Sequence, residues 1–545
     1  MATYDAVFVG SGINSLVGAA LLAREGWRVC VLERNDVAGG CIRTSTDLTL
    51  PGFTHEVLAS WHPLFTGSAA YAELKDDLGR RGLVYVNTDL PTGTALPDGS
   101  AAFVTGSLEG NVAEFERLAP GDGRAWEQQF TSFMETADLS FGILSTELWS
   151  GAGLSLGRKA YRRLGRRGLL EFAGGTLMSC RDWVTQTFES DAAHAVLAPW
   201  VLHTGLGPDQ ATSGFMTRVI AAALQLGGMP VPVGGGVRLV DALVGIVEDS
   251  GGEVRLGAEA TRILVANGRA TGVRLADGDV VASIRAVVAS VTPTQLYGRL
   301  LGDSEVPAVV SEAAGRFRYG RAEMQIHLAL DEPPRWKGPE AERLARCPIV
   351  HVTPGLDGVS RAVNEAERGL LPAEATIVCG QPVALDPSRA PDGKSILWIQ
   401  LQELPPGQVK GDAAGELDTG DGSWTEELRE AYADRIMARL GESIENLGSA
   451  TLKRVVLSPT EIESLNVNLV GGDIYGGSCA LDQNLLWRPL AEAPGHATAV
   501  DGLFHIGAST HPGPGLGAGS GYLVARELAK PPITQRLLAK LPGRS

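Results

Sequence analysis

At 545 residues the chain is longer than one compact hydrophobic core usually serves, so two or more domains are expected. Apolar residues make up 44% and charged residues 20%, the balance of a globular protein rather than a disordered or fibrous one. A formal net charge of −16 sets duplex nucleic acid aside as a partner, because phosphate recognition needs a basic face.

The six cysteines are scattered without a CxxC pair, which gives no support to a disulfide framework, a zinc knuckle or a redox-active dithiol; no metal site is expected. Reduced thiols in apolar surroundings are the reading that remains. The first strand starts at Tyr4 and leaves no room for a signal peptide, and no apolar run has the length of a membrane span. A cytoplasmic location is therefore expected.

Residues 5–9 read as a short buried strand ended by Gly10. A Leu- and Ala-rich helix should run from Gly12 to about Glu25, closed by Gly26, and Arg28 to Leu32 is a second apolar strand. Strand, helix and strand within some thirty residues make a βαβ unit and so a parallel sheet. From about residue 70 the texture is helical, with Trp126, Phe130, Phe133 and Met134 on one face, and stays so to about Leu226. Within it Arg158, Lys159, Arg162, Arg163, Arg166 and Arg167 form a basic cluster interleaved with Tyr161, Leu164, Leu169 and Leu170. Gly157, Gly165 and Gly168 weaken a helix there. A solvated segment or a subunit contact, as in a homodimer, is preferred over a peripheral seat on an anionic membrane, which stays open.

Strand texture returns from Gly234 to Val291, with Asn267-Gly268 and Asp277-Gly278 as hairpin turns. Met324, Ile326, Leu328 and Leu330 alternate with Glu323, Gln325, His327 and Ala329, the pattern of a half-buried antiparallel strand. Residues 396–401 are its candidate partner. Glu403 to Gly422 reads as a polar surface loop, and Ser423 with Glu426 as a capping box for the next helix. Leu503 to Ile506 is the last strand, followed by a glycine-rich turn and a helix ending near Leu528. The order predicts a nucleotide-binding domain from residues 1–70, 228–300 and 455–545, with residues 71–227 and 301–454 inserted as the substrate domain.

The chemistry starts at Gly10-Ser11-Gly12-Ile13-Asn14-Ser15, where a dinucleotide fingerprint belongs. Gly10 permits the tight turn, and Gly12 lets a pyrophosphate reach the free amides and positive dipole of the helix N-terminus. Ser15 stands in place of the third glycine. Glu33, followed by Arg34, lies at the end of the second strand, where a carboxylate accepts ribose hydroxyls. Gly39 and Gly40 let the chain cross the pyrophosphate, Arg43 can neutralise it, and Thr44 closes the segment. This pair of glycines matches flavoproteins of the glutathione-reductase type and points to FAD rather than NAD. Near the C-terminus, Gly507-Ala508 and His511-Pro512-Gly513 lead through Gly517-Ala518 into the last helix. That turn would aim amides at the flavin pyrimidine ring, where charge develops on reduction.

With Pro232-Val233-Gly234-Gly235-Gly236-Val237-Arg238-Leu239 and Gly471-Gly472-Asp473-Ile474-Tyr475-Gly476-Gly477 added, the chain resembles the phytoene-desaturase-related flavoproteins. These lie in the wider amine-oxidase and Rab GDP-dissociation-inhibitor superfamily; the second block resembles the branch of pyridine nucleotide-disulfide oxidoreductase domain-containing protein 2. The resemblance implies an α/β fold, with a Rossmann-like FAD-binding domain and an inserted α+β substrate domain of mixed sheet and helices. It also implies Glu259-Ala260-Thr261 near the adenine and Ala59-Ser60-Trp61 against the isoalloxazine. The implied reaction is dehydrogenation of an apolar or alicyclic small molecule by hydride transfer to flavin N5, with oxygen or a quinone-like acceptor reoxidising the flavin. An amine oxidase and a non-catalytic escort protein on the same fold are the alternatives. A single fingerprint argues against an NADPH-fed reductase. His511, His62 and Tyr475, with Asp473, are the catalytic candidates, since each lies in or beside a flavin-side motif; His203 and His327 read as structural histidines.

Overall fold

A computed structural model describes residues 2–530. Strand β1 (Thr3–Val9), helix α1 (Ile13–Arg24) and strand β2 (Val29–Leu32) form the expected unit. Ten of the twelve residues of α1 are buried, which its run of Leu and Ala permits, because the helix is covered on nearly every side. β1 pairs in parallel with β2 (Ala6↔Val29 to Val9↔Leu32) and, on its other side, with Val280–Ser290. Glu253–Arg255 extends the sheet beyond β2, and Leu503–Ile506 lies parallel to the far half of Val280–Ser290. Antiparallel strands Arg269–Leu275 and Ala260–Ala266 complete it, joined at Asn267 and Gly268, whose φ values of 52° and 75° are those of a tight hairpin turn. Three distant stretches of chain thus build one seven-stranded sheet.

The helical region departs from expectation in two places. On Asp122–Glu135 the residues Trp126 and Phe133 are buried, but Met134 is 41% exposed, because the inward stripe is narrower than four residues. Helix α2 (Gly151–Leu177) forms in spite of its glycines and is interrupted only at Gly165, where φ is 64°. Ala160 is its one buried residue, and Lys159 and Arg163 both pair with Asp138. α2 packs against α3 (Ser213–Gly227), which carries Ile220 and Leu224.

The second sheet has seven strands, with β3 (Ala322–Leu330) and β4 (Ser395–Leu404) second and third from one edge, and these pair antiparallel as the alternation predicted. The half-buried reading of β3 is corrected: all nine residues are buried. Met324, Ile326, Leu328 and Leu330 join a core with Tyr432, Ile436 and Leu440. The polar side is covered by residues 55–61: Gln325 Nε2 and Trp398 Nε1 both donate to the Leu58 carbonyl, at 3.2 and 3.0 Å. Period-two alternation separates the two faces of a strand but does not say what covers each.

Two more expectations are corrected. The cap of helix Glu426–Ser443 is Thr425, whose hydroxyl accepts the Leu428 N–H at 3.2 Å, rather than Ser423. Glu403 and Leu404 are the buried last residues of β4, so the surface loop starts beyond them; from there to Gly422 the chain is mostly exposed. Gly411–Asp412 pairs with Leu370–Leu371, and Asp412 takes both Arg435 guanidinium donors at 2.7 and 2.6 Å.

Helix α4 (Gly519–Ala529) closes the fold against α1. A Cβ on Gly521 would stand 1.9 Å from the Asn14 carbonyl oxygen, and one on Gly18 would stand 3.1 Å from the Phe8 ring. The close packing that a third fingerprint glycine usually permits is therefore supplied by Gly18 and Gly521, while Ser15 is buried within α1.

Candidate functional site

A cavity of about 390 Å³ runs from the N-terminus of α1 to the polar side of β3 and β4. Gly10, Gly12, Ile13, Asn14, Glu33 and Arg34 line its first part, together with Gly39, Gly40 and Ala260. No side chain caps α1, so the amides of its first turn are left to face the cavity. Glu33 is 5% exposed; its carboxylate accepts the Ser11 N–H at 3.0 Å, the Ser11 hydroxyl at 2.6 Å and the Asn35 N–H at 2.9 Å. Gly39 has φ of 117°, and a Cβ there would lie 2.4 Å from the Ile42 carbonyl; one on Gly40 would lie 3.0 Å from Gly12 Cα. Two backbone segments therefore cross here with no room for a side chain.

Ser60, Trp61, Gly507 and Ala508 line the middle. Arg488, 1% exposed, fixes this wall: it donates to the Ala508 carbonyl at 2.7 Å and the Tyr475 carbonyl at 2.8 Å. The Gly507 N–H donates to Ser520 Oγ at 2.9 Å, so it serves α4 rather than the cavity. Trp61 meets Trp398 edge-on, with centroids 6.3 Å apart.

The far end holds Tyr475, Glu323, Gln325 and Gln402, faced by Trp200, His203, Ile220, Leu224 and Met229. Tyr475 donates to the Leu202 carbonyl at 2.6 Å. His203, read from sequence as structural, lines the cavity and meets His351 with Nε2 atoms 3.1 Å apart. Burial pushes the His203 imidazole down to about 3, so one neutral ring donates to the other. His327 is buried under His55 and outside the lining.

Several residues singled out from sequence stand behind the wall. Ser15, Arg43, Thr44, His62, His511, Pro512, Gly517 and Ala518 are not among the lining residues. Arg43 faces Asp36 at 3.7 Å. Thr44 donates to Glu56 at 3.0 Å and accepts the Val237 N–H at 3.0 Å. Glu56 also accepts the Gly236 N–H at 2.7 Å and pairs with fully buried Arg389 at 2.8 Å. The 232–239 motif thus seats in a buried ionic network, a role its glycines did not reveal. His62 Nδ1 meets the Tyr85 hydroxyl at 2.9 Å, and burial with the nearby Arg389 pushes its imidazole down to about 3. His511 is 2% exposed, beside His496 and Glu147; burial, then the His496 charge, push it down to about 4. His496 donates Nε2–H to the His511 carbonyl at 2.9 Å, and its Nδ1 meets Glu147 at 2.5 Å. Pro512 and Ala518 shape the entry to α4, where Ala518 has φ of 57°. Asp473 turns its loop by accepting three N–H groups, from Gly320, Tyr475 and Gly477.

Residues 16–527 match the family described as flavin containing amine oxidoreductase. The chain belongs to that family. Its cofactor is FAD, and it is a flavin-dependent oxidoreductase. The crossing glycines, the uncapped helix and the buried Glu33 carboxylate fit a dinucleotide cofactor on their own geometry. A limonene dehydrogenase component of Castellaniella defragrans is 26% identical, over 96% of this chain and 94% of its own. Pyridine nucleotide-disulfide oxidoreductase domain-containing protein 2 of Mus musculus is 24% identical, over 96% of this chain and 94% of its own. Among solved structures a redesigned putrescine oxidase shares the fold, with a TM-score of 0.60 at 15% identity, over 99% of each chain. Among the described residues, no helix is long and apolar enough to cross a membrane.

Proposed function

We propose that the chain dehydrogenates a largely apolar small molecule, an alicyclic one included, and passes the electrons to oxygen or a quinone-like acceptor. The observation that carries this reading is the far end of the cavity, where Trp200, Ile220, Leu224, Met229 and Ile474 give one continuous apolar wall. The similarity to the limonene dehydrogenase component supports it. Gly12, Ile13, Glu33, Gly39, Gly40 and Ala260 would hold the nucleotide half of FAD, and Ser60, Trp61 and Ala508 the flavin half. Bound there, FAD supplies the hydride acceptor.

The protein's own share is placement and exclusion of water. The apolar wall orients a carbon skeleton, and the Arg488-braced wall keeps the middle of the cavity rigid. Tyr475 remains the candidate that touches substrate. His62 and His511 act as scaffold, since both are enclosed behind the lining. The sheet of β1 and β2 corresponds to the nucleotide-binding domain, and β3 and β4 to the substrate domain; residues 531–545 lie outside the described residues. α2, with Leu154, Tyr161 and Leu170 exposed beside its arginines, is the surface we assign to any membrane or subunit contact.

The test is anaerobic mixing of the FAD-loaded protein with cyclic terpenes, polyenes and primary amines while the flavin absorbance is followed. Bleaching by a terpene or polyene, with or without a polar group on it, is the expected result. Bleaching by amines alone would replace this reading with an amine oxidase.

A further inference from the structure

The polar side of β3 and β4 differs from the rest of the cavity wall. Glu323 and Gln325 of β3, with Gln400 and Gln402 of β4, lie on one side of the sheet and line the cavity, Gln325 directly opposite Gln400. Glu323, Gln325 and Gln402 are 1%, 1% and 2% exposed. Their donors are consumed internally. Gln325 Nε2 donates to Glu323 Oε1 at 2.6 Å, and Gln402 Nε2 donates to the Tyr475 hydroxyl at 3.1 Å. What is left over is of one kind: Glu323 Oε2, Gln325 Oε1 and Gln402 Oε1 have no hydrogen-bond partner.

Buried acceptors without a donor are costly, and three gathered on one cavity wall need a common explanation. No arginine or lysine pairs with Glu323 among the described residues; the neutral Gln325 and Gln400 amides are what favour its carboxylate, and the charged group that acts on it, Asp473, has the same sign. A ligand that brings a donor would satisfy the cluster, whereas a pure hydrocarbon would leave it dry and unpaired. We propose that Glu323, Gln325 and Gln402 anchor a hydrogen-bond donor on the substrate, a hydroxyl or amino group carried by an otherwise apolar molecule. Burial pushes the Glu323 carboxyl up to about 7: as the carboxylate it accepts from a hydroxyl or an amine, and as the neutral acid it leaves the accepting to Gln325 and Gln402. The anchor fixes one end of the molecule while the apolar wall holds the rest. This inference rests on the cavity being the shared seat of FAD and substrate.

The experiment titrates the FAD-loaded protein with cyclohexanol, cyclohexylamine and methylcyclohexane, reading the perturbation of the flavin spectrum and the FAD content. Wild type should bind cyclohexanol or cyclohexylamine about tenfold more tightly than methylcyclohexane, the scale of one buried hydrogen bond. Glu323→Leu should abolish that preference while retaining FAD and methylcyclohexane binding, and Glu323→Gln should keep the preference for cyclohexanol. Gln402→Leu serves in its place if Glu323→Leu does not fold. Equal binding of all three probes, or no binding of any, overturns the proposal. So does a preference that survives both leucine variants, or loss of FAD from them, which would turn the cluster toward the cofactor. Wild type isolated without FAD would instead remove the reading of the cavity itself.

Discussion

Glu33 holds Ser11 by both of its donors, the backbone N–H at 3.0 Å and the hydroxyl at 2.6 Å, and Ser11 Oγ in turn accepts the Gly39 N–H at 3.1 Å. The carboxylate at the end of β2 therefore organises the turn before α1 and, through it, the crossing glycines.

Replacing Glu33 by alanine should weaken FAD retention roughly ten- to a hundredfold, since hydrogen bonds to a charged acceptor are worth about 1.5–3 kcal/mol. FAD content after extensive dialysis measures this. Full occupancy in the variant would mean that Glu33 serves the turn alone.

Gly521 tests the seam between α1 and α4. Its Cβ would meet the Asn14 backbone at 1.9 Å, and backbone cannot swing aside as a side chain can. Gly521→Ala should cost about 1–3 kcal/mol or more, because the helices must part. Gly441, with nothing within 4 Å of its added Cβ, is the control: alanine there should stabilise the helix by about 0.5–1 kcal/mol. Urea midpoints of the two variants should move in opposite directions; a common direction would refute the packing argument.

His511 should matter to stability more than to turnover. Its imidazole is enclosed near His496 and Glu147 and does not line the cavity. With any compound that bleaches the wild-type flavin, His511→Ala should be reduced in a single turnover at close to the wild-type rate, while its thermal midpoint falls. A hundredfold slower reduction, the usual cost of losing a preorganised donor, would return His511 to the chemistry.

Much of the nucleotide half was legible because its signals are local. Gly10, Gly12 and Glu33 lie within a single βαβ unit, where turn chemistry and strand period specify the geometry. The far end of the cavity was not, because its wall is gathered from distant elements. His203 becomes a lining residue only when its helical turn meets β4 and the strand Ile349–Val352 that carries His351, and nothing in its neighbours marks it. Gly521 looked like any small residue in a helix until α1 came within contact. Ser423 and Thr425 both precede acidic residues, and local sequence allows either to cap; the backbone chose Thr425. His511 sits in a motif of which Gly507 and Gly515 line the cavity while its own ring does not, so motif membership overstated its role.

The buried acids give a pH dependence with a definite sign. Glu403 is fully buried on β4 and accepts the Thr376 N–H at 2.7 Å and the Thr376 hydroxyl at 3.1 Å. Burial nevertheless pushes its carboxyl up to about 7, outweighing those hydrogen bonds and the fields of Arg321 and Arg439. An unfolded glutamate titrates near about 4.3, so between these values the folded chain holds a proton that the unfolded chain has released. The stabilising contribution is complete below the unfolded value, declines as pH rises to about 7 and is absent above it. Glu403→Gln is neutral at every pH and keeps an oxygen to accept from Thr376. It should match wild type near pH 4 and exceed it at pH 8, the gap widening by on the order of 3 kcal/mol. Urea midpoints of both proteins at the two pH values measure this. A gap that does not change with pH would show that Glu403 keeps its ordinary acidity and that water reaches the end of β4.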